Sequence, residues 1–526
     1  MAETEKVTCV NMEVFGITTS LIISSLLLVS FLLLVYSILR SDRSRHNFPP
    51  SPPKLPIIGN LHQLGKPPHR VLHKLSQKYG PVMLLQLGSV PTLVISSAEA
   101  AKQVLKTRDS DFCTRPPLAS VKRLSYNYVD IGFAPYGEYW RDVRKICVHE
   151  VFSVKRVQSF CVIREEEIAA LVDSISRSSS ASPVALIDVY QKILCLMDQV
   201  VCRVSFGKSF HQNRINDTDE YLPIELRKVF HELGIVLQSF SASDVFPKVG
   251  WILDRLTGFH GRLEKCFCSL DKFFQQVLDA HLDPNKPKPD YEDVIDVLLN
   301  VEKDNRLSNG RRLMSDHIKA IIMNLYIAGA DTSAITMTWA LAELIRNPEA
   351  MKKVQEEVRN YVGKDKEKVE EKDLHHFQYL KMVVKETLRL HPPAPLLIPR
   401  ECMVNSSIDG YDVKAKTRVV INAWSIGRNP AYWENPNEFY PDRFVDNSMD
   451  IRGMQNFEFL AFGGGRRGCP GIHMGLVMVE LTLANLLYCF NWELPSGMNK
   501  EDVNMEETSG MAKRMKYPLH LVPVKV

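Results

Sequence analysis

Residues 462–471 have the sequence Phe-Gly-Gly-Gly-Arg-Arg-Gly-Cys-Pro-Gly, and an apolar window with helical spacing follows at 474–487. Glycines let a backbone turn sharply and approach a flat ligand closely. Pro470 suits the first turn of a helix, where its missing N–H group costs nothing. We therefore expect Cys469 to lie at the amino terminus of a helix, where free N–H groups and the helix dipole favour an anionic sulfur.

A stabilised thiolate at Cys469 can attack a carbon atom or bind a metal. A nucleophile needs a histidine base with an orienting Asn or Asp, and the sequence places neither beside Cys469. A thiolate alone is sufficient as the single soft axial ligand of a haem iron. A buried structural cysteine after a glycine-rich turn is the third interpretation, until the rest of the chain is considered.

The composition is that of a folded protein without a nucleic-acid footprint. The chain has 526 residues, of which 45% are apolar and 24% charged, and this balance excludes disorder. Lysine and arginine number 65 against 61 acidic residues, so the net charge of +4 gives no argument for a nucleic-acid partner. The eleven cysteines are scattered and form no C-x-x-C pair, which favours reduced thiols in a reducing compartment.

The amino terminus contains a candidate membrane anchor. Residues 14–39 carry no charge, and as a helix they rise about 39 Å, enough to cross a hydrocarbon core of about 30 Å. The run is longer than the apolar region of a cleavable signal peptide, about 7 to 15 residues, and a buried core helix is the other alternative. Basic residues follow the run, so the positive-inside rule places the short tail in the lumen and the rest of the chain in the cytosol. These residues are Arg40, Arg43 and Arg45.

The remainder of the chain divides into a short hinge and one large domain. A proline-rich run at 49–56 favours a stiff polyproline II spacer. Two short apolar runs at 82–88 and 92–96 predict a small hairpin, whereas windows such as 341–362 and 377–390 have helical spacing. We predict a luminal tail and transmembrane anchor at 1–46, a hinge at 47–60, and one mainly α-helical cytosolic domain with small β-sheets (an α+β fold) at 61–526.

The spacing of Phe462, Gly465, Arg467, Cys469 and Gly471 resembles the haem-binding loop of the cytochrome P450 family. Further motifs lie in the order that this family has them: W-x-x-x-R at 140–144, an oxygen-activating A-G-A-D-T-S at 328–333, E-x-x-R at 386–389 and an aromatic-Pro-Asp-Arg loop at 439–444. The aspartate of the last motif stands where glutamate is commoner. The likeness covers essentially the whole chain, which is similar to plant microsomal members of the secondary-metabolism group (A-type, family-71-like).

The resemblance implies a cytochrome P450 fold that binds haem b, with Cys469 as the axial ligand of the iron. Cofactor contacts from the loop itself would come from Phe462, Gly465 and Gly471. Partners for the haem propionates would be Trp140, Arg144, Arg400 and Arg467. An E-x-x-R pair is usually no more than two charges on a solvated helix face, but the resemblance implies a buried network that braces the Cys469 loop, formed by Glu386, Arg389 and Arg443.

Asp331 and Thr332 lie in an otherwise apolar helical stretch. An acid and a hydroxyl in such a stretch are costly unless they are hydrogen-bonded or useful, and the alternative is a polar stripe that faces solvent. The resemblance implies that both residues are catalytic and pass protons to bound dioxygen. It also implies that Gly329 lets the helix bulge over the haem.

The resemblance also implies partners and a location. Dioxygen would be one substrate, and electrons would come from NADPH–cytochrome P450 reductase on the endoplasmic reticulum membrane, in which the chain would be a single-pass protein. Cations beside the haem motifs would form the docking face for this acidic partner, although such a cluster is more often a solvated face. They are Arg141, Lys145 and Arg466.

The expected activity is that of a haem-thiolate monooxygenase acting on an apolar small molecule. The segments in which the family contacts its substrates, among them 131–133 and 394–398, are largely apolar, which favours a plant secondary metabolite such as a terpenoid, alkaloid or phenolic. Residues 245–253 either dip into membrane lipid or belong to the core. Two alternatives are a reductase-independent isomerase or dehydratase, against which Asp331 and Thr332 argue, and a non-catalytic haem-binding sensor.

Overall fold

The computed structural model describes residues 24–25, 28–30, 47–181, 185–207, 224–285, 291–304, 312–363, 366–445, 449–508 and 510–526. The predicted luminal tail and anchor at 1–46 lie almost entirely outside these residues. The predicted hinge at 47–60 is described and contains no helix or strand, with a short turn at 56–58.

α-Helices account for about half of the described residues. They are α1 (Pro68–Tyr79), α2 (Ala98–Lys102), α3 (Asp109–Phe112), α4 (Ala119–Leu124), α5 (Glu138–Ile146), α6 (Val154–Ser159), α7 (Cys161–Ala181), α8 (Val189–Phe206), α9 (Ile224–Gln238), α10 (Gly250–Leu256), α11 (Phe259–Leu282), α12 (Val294–Lys303), α13 (Ser315–Arg346), α14 (Pro348–Val362), α15 (Gln378–Leu390), α16 (Ala423–Ile426) and α17 (Ile472–Cys489).

Local sequence signals explain where several helices begin. The side chain of Asp188 accepts the backbone N–H of Gln191 and caps α8, and Asp293 caps α12 in the same way. Pro348 is the first residue of α14, because its fixed φ suits that position. The helical window at 341–362 is therefore two helices, separated at Asn347.

The strands form small sheets at the periphery of the helices. They are β1 (Val82–Leu87), β2 (Val90–Ile95), β3 (Ile187–Asp188), β4 (Arg400–Glu401), β5 (Ser406–Ile408), β6 (Tyr411–Val413), β7 (Arg418–Ile421), β8 (Phe490–Glu493) and β9 (His520–Lys525). One sheet has the order β1-β2-β7-β4, a second β3-β9-β8, and β5 pairs with β6. Strands β1 and β2 pair antiparallel, which confirms the predicted hairpin. Strand β7 pairs with β2 in parallel.

The core is built around α13, a helix of 32 residues. It contacts α8, α15 and α17, and most of its side chains between Ile318 and Leu344 are buried. Both α13 and α17 are long and apolar enough to cross a membrane, but 61% and 56% of their most apolar windows are buried inside the protein. Their apolar character is therefore that of core helices.

Candidate active site

The loop at 462–471 is bent into a tight turn directly before α17. The N–H of Cys469 donates to Phe462 O at 3.0 Å, and the N–H of Gly468 donates to Gly465 O at 3.0 Å. Gly465 has a φ of +65°, and a Cβ atom added to it would lie 2.1 Å from Leu105 O. Only glycine fits this position, so the motif glycine is explained by close backbone contact.

Cys469 lies just before α17 and is exposed. Since α17 begins at Ile472, Pro470 precedes the helix, and its expected place in the first helical turn is wrong: Gly471 has the non-helical angles φ −93° and ψ 19°. Although Cys469 has accessible surface, desolvation by the surrounding protein raises the pKa of its thiol, while a hydrogen bond from the Gly471 N–H and the charge of Arg144 lower it. The protein groups around Cys469 therefore do not by themselves keep its sulfur deprotonated, whereas coordination to a metal ion would.

Arg467 and Arg144 hold the backbone around this loop. The Arg467 Nε–H donates to Cys113 O at 2.7 Å and its Nη2–H to Ala134 O at 2.6 Å. Its third nitrogen, Nη1, is buried and has no hydrogen-bond partner among the described residues. Arg144 donates from Nη2 to Gly468 O at 2.5 Å, next to the cysteine.

Arg400 is held beside the loop by Asp109, which the sequence reasoning did not single out. The Arg400 Nη1–H donates to Asp109 Oδ1 at 2.7 Å, and its Nη2–H donates to Gly464 O at 2.8 Å. The second carboxylate oxygen accepts the backbone N–H and the Nη1–H of Arg466, at 3.1 and 2.9 Å. Asp109 therefore joins two arginines to the cysteine loop.

Arg115 is a buried arginine of the site that was also missed. It donates to Gly132 O at 3.1 Å, to Ile398 O at 2.8 Å and to Pro399 O at 2.9 Å, all of which are neutral carbonyls. Burial, followed by the nearby charges of Arg400 and Arg467, lowers its pKa well below the ordinary value. Nothing in the local sequence, an arginine before two prolines, marks this burial.

This donor set fits haem b. Burial lowers the pKa of Arg400, and that of Arg467 to about 9. The buried cations are therefore short of anions, which the two propionates of a haem would supply. The unpartnered Nη1 of Arg467 is a donor available for one of them, and Cys469 offers a soft axial sulfur. The Trp140 Nε1–H instead donates to Ile131 O at 3.0 Å.

The structure brings Glu386, Arg389 and Arg443 together in a buried network. Arg389 forms two hydrogen bonds of 2.7 Å to the carboxylate of Glu386, and the Arg443 Nε–H donates to the same carboxylate at 3.0 Å. Arg389 also donates to the carbonyls of Gly427, Pro436 and Glu438. The network therefore ties α15 to the segment that leads to the cysteine loop.

The structure does not join Asp331 and Thr332 to each other. Asp331 Oδ1 accepts a hydrogen bond of 2.5 Å from the Tyr190 hydroxyl, and the Thr332 hydroxyl donates to Ala328 O at 2.5 Å. Tyr190 was not predicted. The expected bulge at Gly329 does not interrupt α13, which is a continuous helix through this turn.

Comparisons with known proteins agree with this site. The family model described as Cytochrome P450 matches residues 49–520. Cytochrome P450 71B36 from Arabidopsis thaliana is 49% identical over 502 residues, covering 95% of this chain and 98% of the relative. Cytochrome P450 71B9 from the same plant is 51% identical over 475 residues, covering 90% and 93%.

Solved structures agree as well. A zebra fish cytochrome P450 in complex with abiraterone superposes with a TM-score of 0.72 at 26% sequence identity, and the match covers 88% of this chain and all of that one. The family match and the plant relatives each span nearly the whole chain. This chain therefore belongs to the cytochrome P450 family, as a monooxygenase that carries haem b.

Proposed function

We propose that Cys469 is the axial ligand of the haem iron and that the cationic cluster holds the haem propionates. The observation that carries this proposal is the exposed Cys469 in a loop flanked by buried arginines, one of which has a buried N–H group that finds no partner among the residues the structure describes. The cluster comprises Arg115, Arg144, Arg400 and Arg467. Trp140 stacks beneath Arg467, whose guanidinium carbon lies 3.9 Å from the indole centroid, and orients that cation.

The bound haem supplies the iron at which dioxygen is activated. The chain itself has to position groups and deliver protons. Asp331 and Thr332 are consecutive residues of α13, and both are half-buried. The side chain of each carries an oxygen that can accept and donate a proton. We assign proton delivery to this pair. The Asp331 carboxylate accepts a hydrogen bond from α8, and the Thr332 hydroxyl donates to a carbonyl of its own helix.

The proposed substrate is an apolar plant secondary metabolite. The segment at 131–133 is partly apolar and is held in place by the Trp140 and Arg115 side chains, which bond its carbonyls. A site with this lining favours a small or medium apolar molecule, such as a terpenoid, an alkaloid or a phenolic. The support comes from the composition of these segments and from the plant relatives.

The proposed electron donor is NADPH–cytochrome P450 reductase. Arg141, Lys145 and Arg466 are exposed and lie beside the haem motifs, so they give this face a positive charge. The charge of Arg466 is partly balanced by Asp109, at 2.9 Å. Reductase coupling should accordingly weaken with salt, which would leave a neutral contact unaffected.

We propose a single-pass location in the endoplasmic reticulum membrane, with residues 1–46 as tail and anchor, 47–60 as hinge and 61–526 in the cytosol. The exposed apolar residues around α10 support contact with lipid: Val249, Trp251, Ile252, Leu253 and Leu256. This exposure does not fit ordinary core packing of the whole 245–253 stretch. An exposed apolar patch of this kind marks an interaction surface.

Spectral titration followed by turnover tests the proposal. The purified haem protein is titrated with a panel of terpenoids, alkaloids and phenolics, and compounds that shift the spectrum are incubated with reductase and NADPH. We expect a product that contains one oxygen atom from dioxygen and requires NADPH. Product without NADPH would indicate an isomerase or dehydratase, and haem binding without NADPH consumption for any compound would indicate a sensor.

A further inference from the structure

Two reciprocal tyrosine–aspartate hydrogen bonds join α8 and α13. In the first, the hydroxyl of Tyr190 on α8 donates to Asp331 Oδ1 on α13 at 2.5 Å. In the second, the hydroxyl of Tyr326 on α13 donates to Asp198 Oδ1 on α8 at 2.6 Å. Because the pairing runs in opposite directions along the two helices, α8 and α13 are antiparallel here, and each supplies one donor and one acceptor.

The two bonds lie on either side of Gly329. A Cβ atom added to this glycine would lie 3.5 Å from the Val201 side chain of α8. The close approach of α8 therefore covers the turn of α13 between Tyr326 and Asp331. The two bonds therefore join α8 to α13 on both sides of this turn, and the bond at Tyr190 is the one that engages Asp331 itself.

The first bond engages the acidic residue to which proton delivery is assigned. Burial, and then the charge of Asp331, raise the pKa of the Tyr190 hydroxyl, so it remains a protonated donor at physiological pH. A hydroxyl that donates to a carboxylate at 2.5 Å makes a charge-assisted bond, which is among the stronger kinds. The guanidinium of Arg514 lies 5.6 Å from the centroid of the same ring.

Asp331 has no contact with Thr332 that could replace this bond. The Thr332 hydroxyl donates to Ala328 O within its own helix. An aspartate side chain rotates about two bonds, and a proton donor or acceptor has to be held within a fraction of an ångström of its productive position. Among the described contacts of the Asp331 carboxylate, the hydrogen bond from Tyr190 is the one that can hold it in position.

We propose that Tyr190 is a positioning residue of this monooxygenase, whose hydroxyl holds the Asp331 carboxylate in the orientation that proton delivery requires. The inference rests on the proposed role of Asp331. It adds a residue on α8, outside the motifs of the site, and it predicts that the two tyrosine–aspartate bonds have different functions although their geometries are nearly equal.

Matched variants test the proposal in the haem-loaded, full-length protein. Tyr190→Phe and Tyr326→Phe each remove one hydroxyl of a tyrosine–aspartate bond, and Asp331→Asn tests the proposed role of the acid. Hydrogen peroxide released per NADPH oxidised is measured with reductase, with 7-ethoxycoumarin as the probe. We expect at least a twofold rise for Tyr190→Phe and for Asp331→Asn, and the wild-type ratio for Tyr326→Phe.

Thermal unfolding supplies a second readout that does not depend on turnover. The unfolding midpoints of Tyr190→Phe, Asp331→Ala and the double variant form a cycle, in which interacting residues give non-additive shifts; alanine is used here because an asparagine would still offer Tyr190 an acceptor oxygen. We expect the double variant to lose clearly less than the sum of the two single losses. Additive shifts would mean that the pair does not interact, and would overturn the inference.

The outcomes separate this inference from the proposed function. A raised peroxide ratio for Asp331→Asn together with an unchanged ratio for Tyr190→Phe overturns the role of Tyr190 alone. Unchanged ratios for both variants overturn the role of Asp331 and the inference with it. Equal rises for Tyr190→Phe and Tyr326→Phe would show that both bonds merely stabilise the helix pair.

Discussion

Around Arg467 the side chains carry more positive charge than the neighbouring carboxylates neutralise. Within the described part of the chain, Arg115 and Arg467 donate hydrogen bonds only to neutral carbonyls, and Arg400 shares Asp109 with Arg466. Burying a cation without a paired anion is unfavourable, so these residues destabilise the folded protein when no anionic ligand is bound. We predict that an anionic ligand such as the haem propionates offsets this cost, so that haem binding raises the stability of the whole site.

The buried Glu386 network predicts a large effect for a single substitution. Glu386→Ala would leave Arg389, which is 1% exposed, without its carboxylate, at a cost of about 3 to 5 kcal/mol. We expect this variant to be purified without haem and with a lower unfolding midpoint. Glu356→Ala, which breaks an exposed pair with Lys352 at 4.0 Å, is the control and should change either value little. Full haem loading of Glu386→Ala would disprove the role of the network.

Thr332 offers a test of proton delivery. Thr332→Ala removes the hydroxyl next to Asp331, so we expect NADPH consumption to continue while product per NADPH falls about tenfold and peroxide rises. Thr336→Ala is matched to it, since the Thr336 hydroxyl donates to the carbonyl four residues earlier at 2.9 Å in the same way. The control should keep the wild-type ratio. Unchanged product per NADPH in Thr332→Ala would rule the relay out.

Asp130 predicts a pH dependence of stability. Burial raises its pKa to about 6 from the ordinary 3.8, against opposing hydrogen bonds from Asn324 and the Phe133 N–H. The folded protein therefore binds this proton more tightly than the unfolded chain, and the ionised carboxylate costs about 3 kcal/mol above pH 6. Asp130→Asn should raise the unfolding midpoint at pH 8, and the gain should disappear towards pH 4.

The exposed Asp279→Asn provides the reference for this titration, because an exposed acid has little burial cost to relieve. It should follow the wild-type curve of unfolding midpoint against pH. A lower midpoint for Asp130→Asn than for the wild type at pH 8 would mean that the hydrogen bonds of the carboxylate outweigh its burial.

Among the elements, the turn before α17 depends most strictly on one residue. Gly465→Ala would place a methyl group 2.1 Å from Leu105 O at a φ of +65°, so the turn has to open. We expect loss of haem with helix content retained, measured by absorbance and circular dichroism. Gly261→Ala, within α11 and with no described atom outside its own helix within 4 Å of the added methyl, should keep the haem. Normal haem content in Gly465→Ala would contradict this geometry.

Elements with local signals were predictable from the sequence. The β1–β2 hairpin and the helices α15 and α17 follow from apolar periodicity, which depends only on neighbouring residues. The break between α13 and α14 was missed because the window at 341–362 has helical spacing on both sides of Pro348. Pro470 was misplaced because a proline can precede a helix as well as begin it.

For the whole molecule, contacts between distant segments limited what the sequence could predict. Tyr190 and Asp331 are 141 residues apart, and Arg115 is 283 residues from Ile398. No periodicity or motif connects such positions, whereas Cys469 and Glu386 stand inside short motifs of fixed spacing. The motif residues could therefore be named as candidates from the sequence, whereas the residues that contact them could be identified only from the fold.

The ferrous carbonyl spectrum of Cys469→Ser tests the central claim most directly. Cys489→Ser, at the end of α17, is the matched control and should keep the spectrum of the wild type. We predict that the wild type has the spectrum diagnostic of thiolate ligation and that Cys469→Ser loses it. Retention of that spectrum in Cys469→Ser, or a wild-type protein that remains colourless despite ample porphyrin, would contradict the assignment of Cys469 as the ligand of the haem iron.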